Sequence, residues 1–297
     1  MSWLIIALTA SFLFGMTNFI DRFLVEKRIK DPFFVSIIGG IAAVIAAGII
    51  IGMRGLSVLG WGDAGILLLS GFVSIIALVP WYKAIKIDDT SRVVPFFQLI
   101  PVVVLGLSYL LLDERLTRDQ LIGFVLIIGG GLSLAVERPS QELFRIRRSF
   151  WYVLLSIMLW APVAVLFKMV AIGGNFWDAL VYEMIGAGLG SVALRYYARI
   201  NMWSGLRALS IGTWGIVGTN EVLYLAARGL LFYATLIGPT ALVSVVGGIQ
   251  PLFALITGVV MSIWFPEIIR EDIKRGTLLL KLSAIAVILV GLVCVYL

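Results

Sequence analysis

The chain has 297 residues, of which 61% are hydrophobic and only 13% charged, whereas a soluble domain carries about 25% charge. So apolar a chain cannot cover itself with a polar surface. It reads as an all-α polytopic membrane protein, and the formal charge of +6 biases topology rather than signalling nucleic acid, because the basic residues lie in short links between apolar runs.

Apolar runs recur from the first residues to the last. Met1 to Ile20 lacks a basic n-region and leads into further spans, so it is expected to stay as helix 1, Trp3 to Ile20, followed by a charged link from Asp21 to Asp31. Pro32 opens helix 2, Phe33 to Met53. Helix 3 is expected over Ile66 to Ile85 with a kink at Pro80, and helix 4 over Val93 to Leu112, whose twenty uncharged residues suffice to cross about 30 Å of hydrocarbon. The tight link at Asp113 to Asp119 makes helix 5, Gln120 to Val136, its antiparallel partner.

The basic stretch Glu137 to Arg148 is the midpoint. Helix 6 follows over Phe150 to Val170 and helix 7 over Trp177 to Ala193. Helix 8 has two possible ends: near Arg228, or further on, spanning Thr213 to Leu236 with Asn220, Glu221 and Arg228 inside the membrane. Tyr82 precedes Pro101 by 19 positions and Tyr233 precedes Pro251 by 18, which favours the longer helix. Thr240 to Phe265 then supplies helix 9 and Thr277 to Leu297 helix 10.

A common offset of 146 positions also relates Phe14 to Trp160 and Arg22 to Lys168, and these matches favour two five-helix halves, 1–140 and 149–297. Five is odd, so related halves enter the membrane in opposite senses, as inverted repeats. The links after odd-numbered helices hold 18 of the 23 Lys and Arg residues, which places both termini on the non-cytoplasmic side of a plasma membrane, the inner membrane of a prokaryote.

Ionised groups at membrane depth cost several kcal/mol unless paired or hydrated. Arg228 is a candidate for an anionic substrate group, since its planar fork matches a carboxylate. Glu221 and Glu183 are candidate substrate-binding or proton-coupling carboxylates. The competing reading is that Arg228 pairs structurally with a glutamate or reaches a headgroup. Lys168 either adds positive potential to a cavity or snorkels. Asn18, Gln98 and Gln250 line a path or join helices, and Trp160 either walls a substrate site or anchors at the interface. Pro101 and Pro251 are candidate kinks or hinges. The Gly48/Gly52 spacing and the ribbon Gly212, Gly215, Gly218 suit close helix contacts.

With no histidine and only Cys294, the chain excludes an intrachain disulfide, an imidazole relay and any multi-cysteine metal site. There is no Walker A loop, zincin helix or serine elbow, so no enzyme, cofactor or metal is expected.

The segment Trp81 to Leu134, with Tyr82, Pro101, the DERLT link at Asp113 to Thr117, Gln120, Gly123 and a glycine-rich end, resembles the EamA-like family of the drug/metabolite transporter superfamily. The second half keeps Gln250, Pro251 and Gly291 but lacks the compact link. The resemblance is read over the whole chain and implies ten transmembrane helices in two inverted repeats around a central cavity. It implies no particular substrate. The function expected is secondary active transport of a small polar or amphipathic metabolite by alternating access, exporting it with a proton as candidate coupling ion. The alternative is a membrane structural or interaction protein. The lipid bilayer is the expected surrounding partner, with oligomeric state open.

Overall fold

The computed structural model describes residues 2–29, 31–88, 94–135, 147–202, 205, 207, 209–253, 256 and 275–296, and the regular structure among them is entirely helical. The midpoint link and most of helix 9 beyond Phe253 lie outside the described residues.

Helix α1 spans Ser2–Lys27 and so runs beyond Ile20; Asp21, read from sequence as the start of a link, is helical. Helix α2, Pro32–Arg54, begins where the Asp31 carboxylate accepts the Phe33 N–H at 2.9 Å and Pro32 occupies the first turn. Gly55, at φ 77°, ends it. The third span divides into α3, Trp61–Ile76, and α4, Leu78–Ile87. Pro80 has no N–H for the carbonyl four residues back, and the chain breaks around Ala77.

The fourth span opens as a 3-10 turn, Val94–Leu99, and becomes α-helical over α5, Ile100–Leu112. Pro101 therefore sits in the first turn of α5 rather than in a helix interior, where its missing N–H costs no intrahelical bond. Asp113, at φ 50°, closes α5. Helix α6, Arg118–Ala135, starts from a reciprocal cap: Gln120 N–H donates to Thr117 Oγ1 at 3.3 Å and Thr117 N–H to Gln120 Oε1 at 3.0 Å.

In the second half α7 spans Arg148–Ala171, and α8, Phe176–Ala198, is capped by Asn175. Helix α9, Ile211–Ile237, is capped by Ser210 and carries Asn220, Glu221 and Arg228 on one rod, as the longer of the two boundaries requires. Helix α10, Thr240–Gly247, is interrupted at Gly248 and Ile249 before helix resumes at Gln250. Helix α11 spans Arg275–Tyr296.

The halves interleave rather than standing side by side. Helix α1 lies along α9 and α10, α2 and α3 pack on α8, α7 packs on α3, α4 and α5, α5 meets α10, and α6 runs along α11. Several of these contacts depend on glycine: a Cβ at Gly71 of α3 would collide with the Glu183 carbonyl of α8, one at Gly186 of α8 with the Leu68 carbonyl of α3, and one at Gly123 of α6 would lie 2.6 Å from the Gly291 carbonyl of α11. The glycines at 48, 52, 212, 215 and 218 behave otherwise. A Cβ at any of them would meet nothing within 4 Å, so they are not the close helix contacts their spacing suggests.

Among the described residues, five helices are long and apolar enough to cross a membrane: Trp3–Asp21, Phe33–Arg54, Trp61–Ile87, Pro95–Leu112 and Arg148–Ala171. The protein is thus all-helical with membrane-length spans, four of them in the first half. Among the described residues the expected ten are not all met by length and composition: α8 and α9 carry buried charge that dilutes their apolar run, and Thr240–Phe253 and Leu282–Tyr296 count as shorter apolar helices.

Candidate functional site

The largest core cluster joins α1, α2 and α3 to α7, α8 and α9, and at its edge lies the most constrained charge in the protein. The Glu183 side chain is fully buried and that of Arg228 is 13% exposed. Arg228 Nε donates to Glu183 Oε2 at 3.3 Å, and Nη2 donates to Glu183 Oε1 to complete a two-pronged pair. Nη2 also donates to Ser74 Oγ at 3.0 Å and Nη1 to the Tyr224 hydroxyl at 3.1 Å. Its guanidinium lies over the Phe232 ring, which stacks on Phe167.

Four of the five guanidinium donors are thus engaged. The partner of Arg228 is Glu183 on another helix; Glu221, on its own helix, is not bonded to it. Ser74 comes from α3, so the pair fastens the first half to the second. The same stretch of α3 receives Trp160, whose Nε1 donates to the Ser74 carbonyl at 2.7 Å, and Ser156, whose hydroxyl donates to the Ala77 carbonyl at 2.8 Å. Both bonds satisfy carbonyls beside the break that Pro80 creates, which gives Trp160 a definite structural task.

Lys168 also has one. Its Nζ donates to Glu114 Oε1 at 2.6 Å and to the Gly238 carbonyl at 2.7 Å. Glu114 in turn accepts the Thr240 N–H at 2.7 Å and the Thr240 hydroxyl at 3.0 Å. The carboxylate caps α10 from across the fold, and the negative charge stands where the helix dipole favours it. This knot ties the ends of α5, α7 and α9 at one face. Lys168 neither snorkels freely nor presents an open cation.

The paired glutamines lie at the two interrupted spans. Gln98, in the 3-10 turn, donates from Nε2 to the Gly248 carbonyl at 2.9 Å, where α10 breaks. Gln250, the first residue after that break, accepts from Asn18 Nδ2 at 3.0 Å. All three side chains join helices. Pro251 follows within the first resumed turn, a placement like that of Pro101.

The third polar group lies between α1 and α9. Asn220 Nδ2 donates to Asp21 Oδ1 at 2.8 Å. Glu221 is 7% exposed, and its Oε2 is against Gly39 of α2. Among the described residues no cation pairs with either acid. Tyr82, hydrogen-bonded to Ser36, stands within electrostatic reach of Asp21.

Sequence reasoning missed Asp21, Ser74, Glu114 and Tyr224. For Asp21 a signal existed: if position 22 answers to Lys168, which lies inside helix 6, then Asp21 belongs inside helix 1. Ser74 and Glu114 had none, because their roles arise from helices that meet only in three dimensions. Among the described residues no cluster of His, Cys, Asp and Glu has the arrangement of a metal site.

Residues 1–135 match the model of the EamA-like transporter family. The match covers the first half, α1 through α6, and does not extend over the second half as the sequence resemblance was read to do. The EamA-like region is also 28% identical over 135 residues to an uncharacterized protein of Methanocaldococcus jannaschii; the alignment takes in 45% of this chain and 96% of that protein. A solved crystal structure aligns with 99% of this chain and 96% of its own at a TM-score of 0.74 and 15% identity, a likeness of fold. With the membrane-length helices, the EamA-like match supports an integral membrane protein with a transport-related role.

Proposed function

We propose that the protein is a secondary active transporter in which two inverted five-helix units, 1–140 and 149–297, expose a shared site alternately to the two sides of the membrane. The observation that carries this reading is the pair of interrupted spans. Each half departs from regular α-helix in its fourth span beside a Gln and a Pro, as a 3-10 turn in the first half and as a break at Gly248 and Ile249 in the second, and Gln98 of one half donates to the Gly248 carbonyl of the other. Discontinuous helices at corresponding positions of two repeats are a hallmark of alternating-access folds.

Three further observations support it. Exchanging each helix for its counterpart in the other half returns much of the packing pattern: α1 on α9 answers α7 on α3, α1 on α10 answers α7 on α5, and the contacts α2–α8, α5–α10 and α6–α11 answer themselves; the extensive contact of α3 with α8 is the exception, since α9 barely meets α2. The Methanocaldococcus relative is nearly covered by the first half alone, as expected of a protein one unit long. Helices α8 and α9 turn Glu183 and Glu221 inward while Leu189, Val192 and Val222 face outward, which suits spans that keep their charge from lipid.

In this reading Arg228 and Glu183 neutralise each other and hold α3, α8 and α9 together, so an anionic substrate group reaches Arg228 only by displacing Glu183. Glu221, buried and without a cation, is the stronger candidate to carry a proton. The solute is small and polar or amphipathic, and its passage is outward. Purified protein in sealed vesicles should move solutes of this kind only in one-for-one cycles that respond to a pH gradient, and Glu221→Gln should abolish the pH response. Ohmic conductance, or solute movement indifferent to the gradient in the unaltered protein, would count against alternating access coupled to protons.

A further inference from the structure

The last turns of α4 carry two ammonium groups that no carboxylate claims. Lys83 and Lys86 are exposed and three positions apart, so they share one face of the helix. Lys83 Nζ lies over two rings, 5.4 Å from the centroid of Tyr197 on α8 and 6.0 Å from that of Tyr152 on α7. Lys86 Nζ lies 5.7 Å from the centroid of Phe33, the second residue of α2. Phe33 in turn meets Tyr82 edge-on at 5.0 Å and Tyr197 at 6.4 Å. Aromatic faces attract a cation without neutralising it, so four helix ends fix the position of both charges and leave them available. The acids at this end are engaged elsewhere. Asp88 accepts the Ser149 hydroxyl at 2.8 Å and stands 3.7 Å from Arg147, and Asp31 accepts the Phe33 N–H. Among the described residues neither lysine has an ion-pair partner.

The level of this cluster identifies what meets it. Three membrane-length spans, Phe33–Arg54, Trp61–Ile87 and Arg148–Ala171, have an end here. Span ends mark the edge of the hydrocarbon, where lysine stems lie along apolar surface and their ammonium groups reach the headgroups. Trp151, Tyr196 and Tyr197 are exposed at the same ends of α7 and α8, as side chains of the interfacial layer are. Arg195 and Arg199, exposed at the close of α8, add positive charge. This is also the face that the charge bias assigns to the cytoplasm, whose leaflet carries anionic lipid.

We propose that the ends of α2, α4, α7 and α8 form a docking site for an anionic phospholipid of the surrounding bilayer, with its phosphate between Lys83 and Lys86. A soluble anion meets the same charge but lacks the acyl chains that hold a lipid at this depth. Ammonium groups act as point charges and offer no planar fork, so the site reads the net charge of a headgroup rather than its shape. Phosphatidylglycerol and phosphatidylserine therefore bind alike, and phosphatidylcholine binds weakly.

Native mass spectrometry of the full chain, released from a neutral detergent after titration with each lipid, resolves the first bound molecule and gives its affinity. The first phosphatidylglycerol or phosphatidylserine is expected to bind about twenty-five-fold more tightly than the first phosphatidylcholine, each lysine contributing about fivefold. Lys83→Gln should lose about fivefold of that preference, and the Lys83→Gln/Lys86→Gln double variant nearly all of it. Arg207→Gln, which removes an exposed charge from the same end outside the aromatic cluster, should change little. Sodium phosphate in excess should not displace the lipid. Equal affinity for phosphatidylcholine, a preference retained in the double variant, a loss in Arg207→Gln as large as in Lys83→Gln, or displacement by sodium phosphate overturns the proposal. All the substituted positions are exposed, so the variants are expected to fold. The measurement involves no solute movement, and its outcome leaves the transport reading to the vesicle assay.

Discussion

At the scale of single residues the structure separates two kinds of buried charge that look alike in sequence. Arg228 and Glu183 form a saturated pair, fully buried on one side and nearly so on the other. Removing one member strands the other, which costs about 3–5 kcal/mol, whereas replacing both with neutral groups of similar size costs far less. Arg228→Gln and Glu183→Gln should therefore each lower stability by about that amount, with the double variant recovering much of the loss. Denaturant unfolding of all four proteins in mixed micelles measures the coupling; additive losses would mean the two side chains do not act on one another. Among the described residues Glu221 has no such partner, which is why the proton proposal attaches there.

At the scale of helices, similar glycine patterns have opposite roles. Gly71 lets α3 approach α8 until it nearly touches the Glu183 carbonyl, while Gly48 faces open surroundings on α2. Gly71→Ala should cost about 1–3 kcal/mol through overpacking, and by separating the helices it should also loosen the pair that Glu183 makes. Gly48→Ala should stabilise by up to about 1 kcal/mol, because alanine is the better helix former and nothing obstructs its methyl group. Thermal unfolding of the two variants side by side decides the matter, and equal effects would remove the distinction. Helix ends were more legible than helix contacts. Pro32 opens α2 as read, and the caps that Asp31 and the Thr117–Gln120 pair supply are likewise local, within three residues along the chain. The break in α10 depends on a glutamine 150 residues away, so no window of sequence displays it.

At the scale of the molecule, charge asymmetry and fold symmetry can be examined separately. The charge bias of the basic links leads us to propose that both termini lie on the non-cytoplasmic face, and Trp3 lying against Gly238 puts the start of α1 at the same end as the close of α9. Cysteines introduced at residues 2 and 297 of a Cys294→Ser protein should both react with an impermeant maleimide from the periplasmic side of intact cells. Labelling only after lysis would reverse the orientation while leaving the inverted-repeat arrangement in place.

The sequence by itself determined the class of protein, since an interior this apolar has no soluble solution. It also located the spans of the first half to within a turn or two and favoured the long α9 with three polar residues inside it over a shorter helix ending near Arg228. These properties follow from composition and from distances along one chain, which a linear reading measures directly. Only the tertiary structure decided that Arg228 pairs with Glu183 rather than Glu221, that Lys168 is held by Glu114, that Asp21 is drawn into the interior, and that the glycine ribbon of α9 makes no close helix contact. Each depends on the rotational phase of one helix against another. That phase is set by side chains packing across a seam between distant segments, and sequence spacing does not record it.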